Sequence, residues 1–156
     1  MAFFIDFIAM KQTLKRTDII KSKTIFQRVY KKGRSFASRY VVLYVMRRDD
    51  MENEAEPKRK MNDKDRAVGH AGHTNRTDHT DHTMVGFAAG KKLGHAVTRN
   101  RLKRIMRESF RHQKNNIKDG YYMLMVARKA AVDVKQPVME KALVELLSRA
   151  KSFKKN

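Results

Sequence analysis

The 156-residue chain has no cysteine, which excludes disulfides and every thiolate-ligated metal site. No run of about 18 apolar residues occurs either, so no segment reads as a bilayer-spanning helix. Acidic residues are scarce: 16 Asp and Glu stand against 36 Lys and Arg, a formal net charge of +20. Such an excess repels itself in a compact chain and points to a polyanionic partner. Nucleic acid, an anionic membrane surface and an acidic protein all qualify; the general behaviour of basic domains favours nucleic acid. The lack of thiols fits a cytoplasmic location.

What is present is unevenly spread. Residues 49–83 hold six Lys or Arg and nine Asp or Glu, whereas the rest of the chain holds 30 and seven. This stretch has no aromatic residue, contains Pro57 and ends in a polar run from His70 to Thr83. It cannot bury enough apolar surface to offset the entropy of ordering, which predicts a largely disordered insert. His70, His73, His79 and His82 resemble a metal-binding tract, but the repeated Thr-Asp-His at 77–82 marks low complexity. No metal site is predicted there. Residues 1–10 are apolar but lack a basic start and a small-residue cleavage site, so they read as a short extension. Met1 and Met10 are both candidate starts. Residues 11–156 then form one domain interrupted by the insert.

Outside the insert the order of elements is readable. Thr17 to Tyr30 carries apolar residues at loosely helical spacing, closed by Gly33. Arg39 to Arg48 alternates as a strand, with Tyr40, Val42, Tyr44 and Met46 on one face and Val41, Leu43 and Val45 on the other. Met84 to Ala89 is a second strand, and Tyr121 to Ala127 a third, apolar enough for burial on both faces. A helix from about Arg99 to His112 and another near Pro137, burying Met139, Leu143, Leu146, Leu147 and Ala150, complete the pattern. The result is an α+β sandwich with helices on a small mixed sheet.

The segment from Lys91 to Lys114 carries the chemistry. With Leu102 at 0° and about 100° per residue, Ile105, Met106, Ser109 and Phe110 fall on a core-facing stripe. Asn100, Lys103, Arg104, Arg107, Arg111 and Lys114 fall on a second stripe, whose basic part from Lys103 to Lys114 is about 16 Å long at about 1.5 Å per residue. Glu108 is the only acid in the segment, so intrahelical pairs are not expected to neutralise that stripe. Solvated helix faces normally mix signs; this one suits a polyanion. Gly90 and Gly94 allow tight turns ahead of the helix, and Lys91, Lys92, Arg99 and Arg101 gather near its N-terminus.

The run Gly90-Lys-Lys-Leu-Gly-His-Ala-Val-Thr-Arg-Asn-Arg-Leu-Lys-Arg104 resembles the signature of the bacterial ribonuclease P protein subunit. That signature joins a Lys-Lys pair, Gly-Asn-Ala-Val and Arg-Asn-Arg in fixed register. Phe26-Gln-Arg-Val-Tyr30 with Gly33, Ser35 and Arg39 resembles the family's first helix and strand entry, and Tyr121 to Lys129 its last strand. The likeness covers most of the chain outside 1–10 and 49–83. His95, in place of the usual Asn, and the long insert depart from the pattern.

The resemblance implies a left-handed β-α-β crossover, in a fold like the second domain of ribosomal protein S5. It also implies that catalysis belongs to a partner RNA with magnesium, which removes the 5′ leader of precursor tRNA. The protein would hold no catalytic residue and no stoichiometric magnesium. Lys91, Lys92, Arg99, Asn100, Arg101, Lys103, Arg104 and Arg107 would contact the catalytic RNA. Phe26, Tyr30, Arg39, Val42 and Tyr44 would line a cleft for the single-stranded leader. Membrane association and an obligate protein partner are not expected.

Helical spacing alone leaves Phe26 and Tyr30 equally readable as core. A structural RNA binder of ribosomal type would share this composition and is the main rival. A self-sufficient nuclease is disfavoured. Outside the insert the acids are Asp6, Asp18, Glu108, Asp119, Asp133, Glu140 and Glu145, with no sequence cluster suggesting a two-metal centre. His95 and His112 are not obviously paired.

Overall fold

The computed structural model describes residues 13–53 and 82–154. Strands β1 (Arg34–Ala37), β2 (Val41–Arg47), β3 (Met84–Ala88) and β4 (Tyr121–Ala127) form one mixed sheet in the order β1-β2-β4-β3. β2 runs antiparallel to β1 and β4, and β3 runs parallel to β4. The helices are α1 (Lys23–Lys32), α2 (Arg48–Asn53), α3 (Ala96–Gln113) and α4 (Gln136–Arg149). This is the expected α+β order with β1 and α2 added.

The central strand β4 buries Met123, Leu124 and Met125 completely, as its unbroken apolar run requires. The two sheet faces carry separate cores. On one, Leu43 and Met125 pack against Leu102, Met106 and Phe110 of α3 and Leu143 and Leu147 of α4. On the other, Val29 of α1 covers Met46 and Leu124, ringed by Ile25, Phe26, Tyr44 and Tyr122. Alternation in β2 separates the two sets as expected. Tyr40 is the exception: it precedes the strand and packs with the α3 side.

The hand of the β3-α3-β4 crossover follows from L-residue geometry. In an extended chain running upward, a residue whose side chain faces the viewer points its N–H and C=O to the right. Leu124 faces α1 and belongs to the hydrogen-bonded set with β2, in phase with Arg128 N–H donating to Tyr40 O (2.9 Å) and Arg48 N–H to Gly120 O (3.0 Å). Seen from the α3 side with β4 upward, β2 therefore lies left and β3 right. The chain climbs β3, descends α3 in front of the sheet and climbs β4 to the left. The crossover is left-handed, against the usual preference.

The first helix starts later than its apolar spacing suggested. Arg16–Asp18 is a 3-10 turn, and the Ile20 N–H donates to Val85 O (2.9 Å), which keeps that segment extended against β3. The helix begins after Ser22, whose Oγ accepts from the Ile25 N–H (3.4 Å). Order also reaches into both ends of the 49–83 segment. α2 extends to Asn53, and the buried Thr83 hydroxyl donates to Lys118 O (2.6 Å) while accepting from the Tyr121 N–H (3.2 Å). These ends are anchored because they abut β2 and β3, which composition alone does not reveal. The expected extension at 1–10, the disorder expected for 54–81, and His70, His73 and His79 lie outside the described residues.

Asp18 ties three separate segments together. Its carboxylate is 3% exposed, accepts from the Lys15 N–H (2.7 Å) and pairs with Lys114 Nζ (2.6 Å) at the end of α3. His82 Nε2 stands 3.1 Å from its other oxygen, within ion-pair range but not aligned for a hydrogen bond. Asp18→Ala strands a backbone donor and a lysine. Because Lys114 is 26% exposed, water recovers part of that loss. An expected destabilisation of about 2 kcal/mol follows, with Asp18→Asn intermediate. Urea unfolding checks it, and a change below about 0.5 kcal/mol would contradict it.

Candidate nucleic-acid interface

α3 begins at Ala96, three residues before Arg99. His95 occupies the N-cap, but its imidazole makes no capping hydrogen bond; its carbonyl accepts from the Arg99 N–H (3.1 Å). The preceding 3-10 turn, Lys91–Leu93, leaves Lys91 and Lys92 exposed. Gly94, at φ +124°, reverses the chain into the helix in a conformation that L side chains rarely adopt.

The apolar stripe of α3 falls where its periodicity places it, with Leu102, Met106, Ser109 and Phe110 buried. The basic stripe is divided. Asn100, Lys103 and Arg104 make no hydrogen bond or ion pair with the described residues, and Arg104 is exposed. Arg107 lies over the Phe87 ring (5.8 Å). Arg111 forms a forked pair with Glu108, and Lys114 is held by Asp18. The far end of the stripe is therefore neutralised, one pair lying within the helix and the other reaching across the fold. Arg101 is also partly engaged, donating through Nη1 to Val132 O (2.9 Å) and through Nη2 to Val134 O (3.5 Å). Arg99 turns partly inward, with Nε enclosed and unpartnered among the described residues.

Between α3 and α4 lies a polar network. His112 Nδ1 is 3.0 Å from Glu140 Oε2, and its Nε2 is 3.3 Å from Glu108 Oε1. Gln113 and Gln136 donate to the two oxygens of Glu140 at 3.0 and 2.6 Å. Hydrogen bonds from Arg111 hold the Glu108 carboxyl below the usual carboxylate range. Burial alone would raise Glu140, but its bonds from His112, Gln136 and Gln113 together outweigh burial and lower it. Both acids are thus ionised at neutral pH. Among the described residues no group of three or more such side chains is arranged to hold a metal ion.

On the opposite face, α1 and the sheet bring Phe26, Tyr30 and Tyr44 together. The Tyr30 and Tyr44 rings are 5.0 Å apart and tilted by 44°. Tyr30 is 52% exposed, whereas Phe26 is half-buried in the small core. Phe26 can lie this close to β3 because Gly86 has no side chain: a Cβ there would stand 3.4 Å from the Phe26 ring and 3.2 Å from Leu124. Burial first, and the neighbouring Tyr30 next, raise the Tyr44 phenol, which keeps its proton. Val42 shares the Tyr44 face of β2 and is partly exposed. Arg39 stands apart in the β1–β2 turn, its guanidinium over the Tyr40 ring (5.8 Å). Ile25, Tyr122 and Val126 also neighbour this cluster, which spacing along the chain does not reveal. Alternation along β4 places Tyr122 and Val126 on one face, but only the strand order puts that face beneath α1.

A basic helix face around Lys103 and Arg104 on one side of the sheet, and an aromatic cluster with Tyr30 exposed on the other, are features of an α+β protein that binds nucleic acid. The family model described as Ribonuclease P matches residues 14–151. The ribonuclease P protein component of Symbiobacterium thermophilum is 36% identical over 137 residues, spanning 88% of this chain and 94% of that protein. The solved Staphylococcus aureus RNase P protein superimposes with a TM-score of 0.63 at 30% identity, covering 88% of this chain and 98% of its own. The RNase P protein from Thermotoga maritima, 22% identical with a TM-score of 0.59, shares the fold. The chain belongs to the bacterial ribonuclease P protein family. It is the protein component of a tRNA-processing ribonucleoprotein, associated with a ribonuclease P RNA that is a separate molecule.

Proposed function

We propose that this protein binds the ribonuclease P RNA through one face and the 5′ leader of precursor tRNA through the other. The observation that carries this reading is the separation of the two surfaces by the sheet. Lys103 and Arg104 project from the helix packed on one side, and Tyr30 and Tyr44 meet on the other. Lys91, Lys92, Arg99, Asn100, Arg101 and Arg107 extend the first surface, with Arg101 also bracing the segment ahead of α4. On the second, the exposed Tyr30 ring stacks on an unpaired base beside the half-buried Tyr44, Val42 completes the apolar wall, and Arg39 meets the backbone further along. Magnesium belongs to the RNA, where it would stabilise the charge developing at the cleaved phosphodiester. The ribonucleoprotein works in the cytoplasm.

The test is reconstitution. With the cognate ribonuclease P RNA at low magnesium, adding the protein should stimulate cleavage of precursor tRNA. No stimulation would overturn the reading, as would cleavage by the protein free of RNA.

The 49–83 insert has no part in this scheme beyond its anchored ends. Arg28 Nη1 donates to Met51 O (3.2 Å), so a deletion that removes Met51 also removes a tie to α1. Replacing residues 54–81 by a short linker, with Met51 and His82 retained, should leave the stimulation within about twofold, the range of ordinary surface changes. A loss of stimulation would give the insert a role in assembly or substrate binding.

A further inference from the structure

The groove between α3 and α4 has the features of a binding site for a single base. It forms a pocket of about 320 Å³ lined by Arg101, Arg104, Ile105, Glu108 and Gln136. That volume lies at the small end of ligand sites and suits one planar group rather than a duplex. Around α3, Arg104 marks the boundary: Lys103 and Arg107 continue the basic stripe on one side of it, while Arg101, Ile105 and Glu108 turn toward α4 on the other. A strand whose phosphates follow the stripe therefore passes directly beside the groove.

The groove has a distinct chemistry. Its floor is the partly buried aliphatic side chain of Ile105, and its rim carries two guanidinium groups. Arg101 is fixed by the carbonyls of Val132 and Val134, whereas Arg104 makes no bond with the described residues. The walls present acceptors. Glu108 is held by Arg111 through both oxygens and is ionised, so it only accepts. Gln136 commits its NH2 to Glu140 Oε2 (2.6 Å), which orients its amide and leaves Oε1 without a partner among the described residues. Acceptors above an apolar floor suit a base edge bearing an amino group. Adenine, cytosine and guanine offer one; uracil has no amino group, and its single N3–H donor is flanked by two carbonyls that would face the acceptors. Proteins commonly read RNA through bases splayed from loops and bulges in this manner.

We propose that the α3–α4 groove receives one unpaired, amino-bearing base of the ribonuclease P RNA, fixing the register in which that RNA docks on α3. The proposal rests on the reading that the α3 stripe contacts this RNA.

The experiment is chemical probing of the cognate RNA with and without saturating full-length protein. Dimethyl sulfate reports adenine and cytosine, kethoxal reports guanine and a carbodiimide reports uracil. One unpaired adenine, cytosine or guanine should be protected by the wild type and become reactive again with Gln136→Leu. Other protections should persist, with affinity reduced about tenfold, the order of one lost base contact. Ile105→Trp, which fills the groove, should expose the same nucleotide; circular dichroism confirms that each variant is folded. Footprints unchanged by Gln136→Leu would overturn the groove proposal while leaving docking on α3 intact. So would restored reactivity confined to a uracil. If the wild type leaves no footprint at all, the docking reading itself fails.

Discussion

Replacing Lys103 and Arg104 together with alanine will weaken assembly with the ribonuclease P RNA by about 100-fold at low salt, at roughly 1–1.5 kcal/mol per charged contact. The log–log salt dependence should flatten by about 0.7–0.9 for each phosphate released, and the loss should shrink as salt rises. The choice of residues matters. Along the stripe, these two cations have no bond to the described residues, whereas Arg111 is committed to Glu108 and Lys114 to Asp18. Lys114→Ala should therefore cost stability and leave the RNA salt slope unchanged. Equal losses of RNA affinity for Lys114→Ala and the double variant would mean that net charge, not the stripe, drives assembly. Titration of labelled RNA at several salt concentrations decides between them.

The second large effect belongs to the cleft. Tyr30→Ala should weaken binding of a single-stranded leader oligonucleotide about tenfold, within the range of about 1–3 kcal/mol for one stacked base. Tyr30 is half exposed, so its removal costs little core, and protein stability should hold within about 1 kcal/mol. Phe26 is the poorer probe: its ring packs against Gly86 and the small core, so Phe26→Ala mixes lost leader contact with lost packing. Tyr44→Phe keeps the ring and should retain most of the affinity. Fluorescence anisotropy with the oligonucleotide measures all three. An unaltered affinity for Tyr30→Ala would remove the stacking platform from the account.

Elements with strong periodicity were legible in the sequence because their packing is one-sided and repetitive. Leu143, Leu146 and Leu147 announce α4, and the unbroken apolar run of β4 announces a strand covered on both faces. β1 was not legible. Arg34–Ala37 has a single large apolar residue, Phe36, and is a strand only because β2 offers it a register from Val42 to Val45. The start of α1 is not legible in the sequence, because Ile20 fits a helical stripe while the bond that decides its conformation comes from β3.

The site divides in the same manner. Spacing on α3 suggests the basic stripe, of which Lys103 and Arg104 keep no bond to the described residues. The aromatic pair that forms joins Tyr30 of α1 to Tyr44 of β2, and is not the Phe26–Tyr30 pair that helical spacing suggests. The neutralisation of Lys114 could not be read from spacing, because Asp18 lies 96 residues away in sequence. The structural use of Arg101 was equally hidden, since its acceptors are carbonyls in the segment before α4. Charge count says only that the partner is a polyanion, and tertiary contacts decide which charges remain available to it.

The central claim is that two RNA surfaces act independently from opposite faces of the sheet. Its most direct measurement is a pair of affinities for each variant. One is the affinity for ribonuclease P RNA; the other is that of the assembled holoenzyme for precursor tRNA with and without its leader. Lys103→Ala with Arg104→Ala should lower only the first, and Tyr30→Ala only the leader-dependent part of the second. Both variants lowering both affinities in parallel would contradict the account.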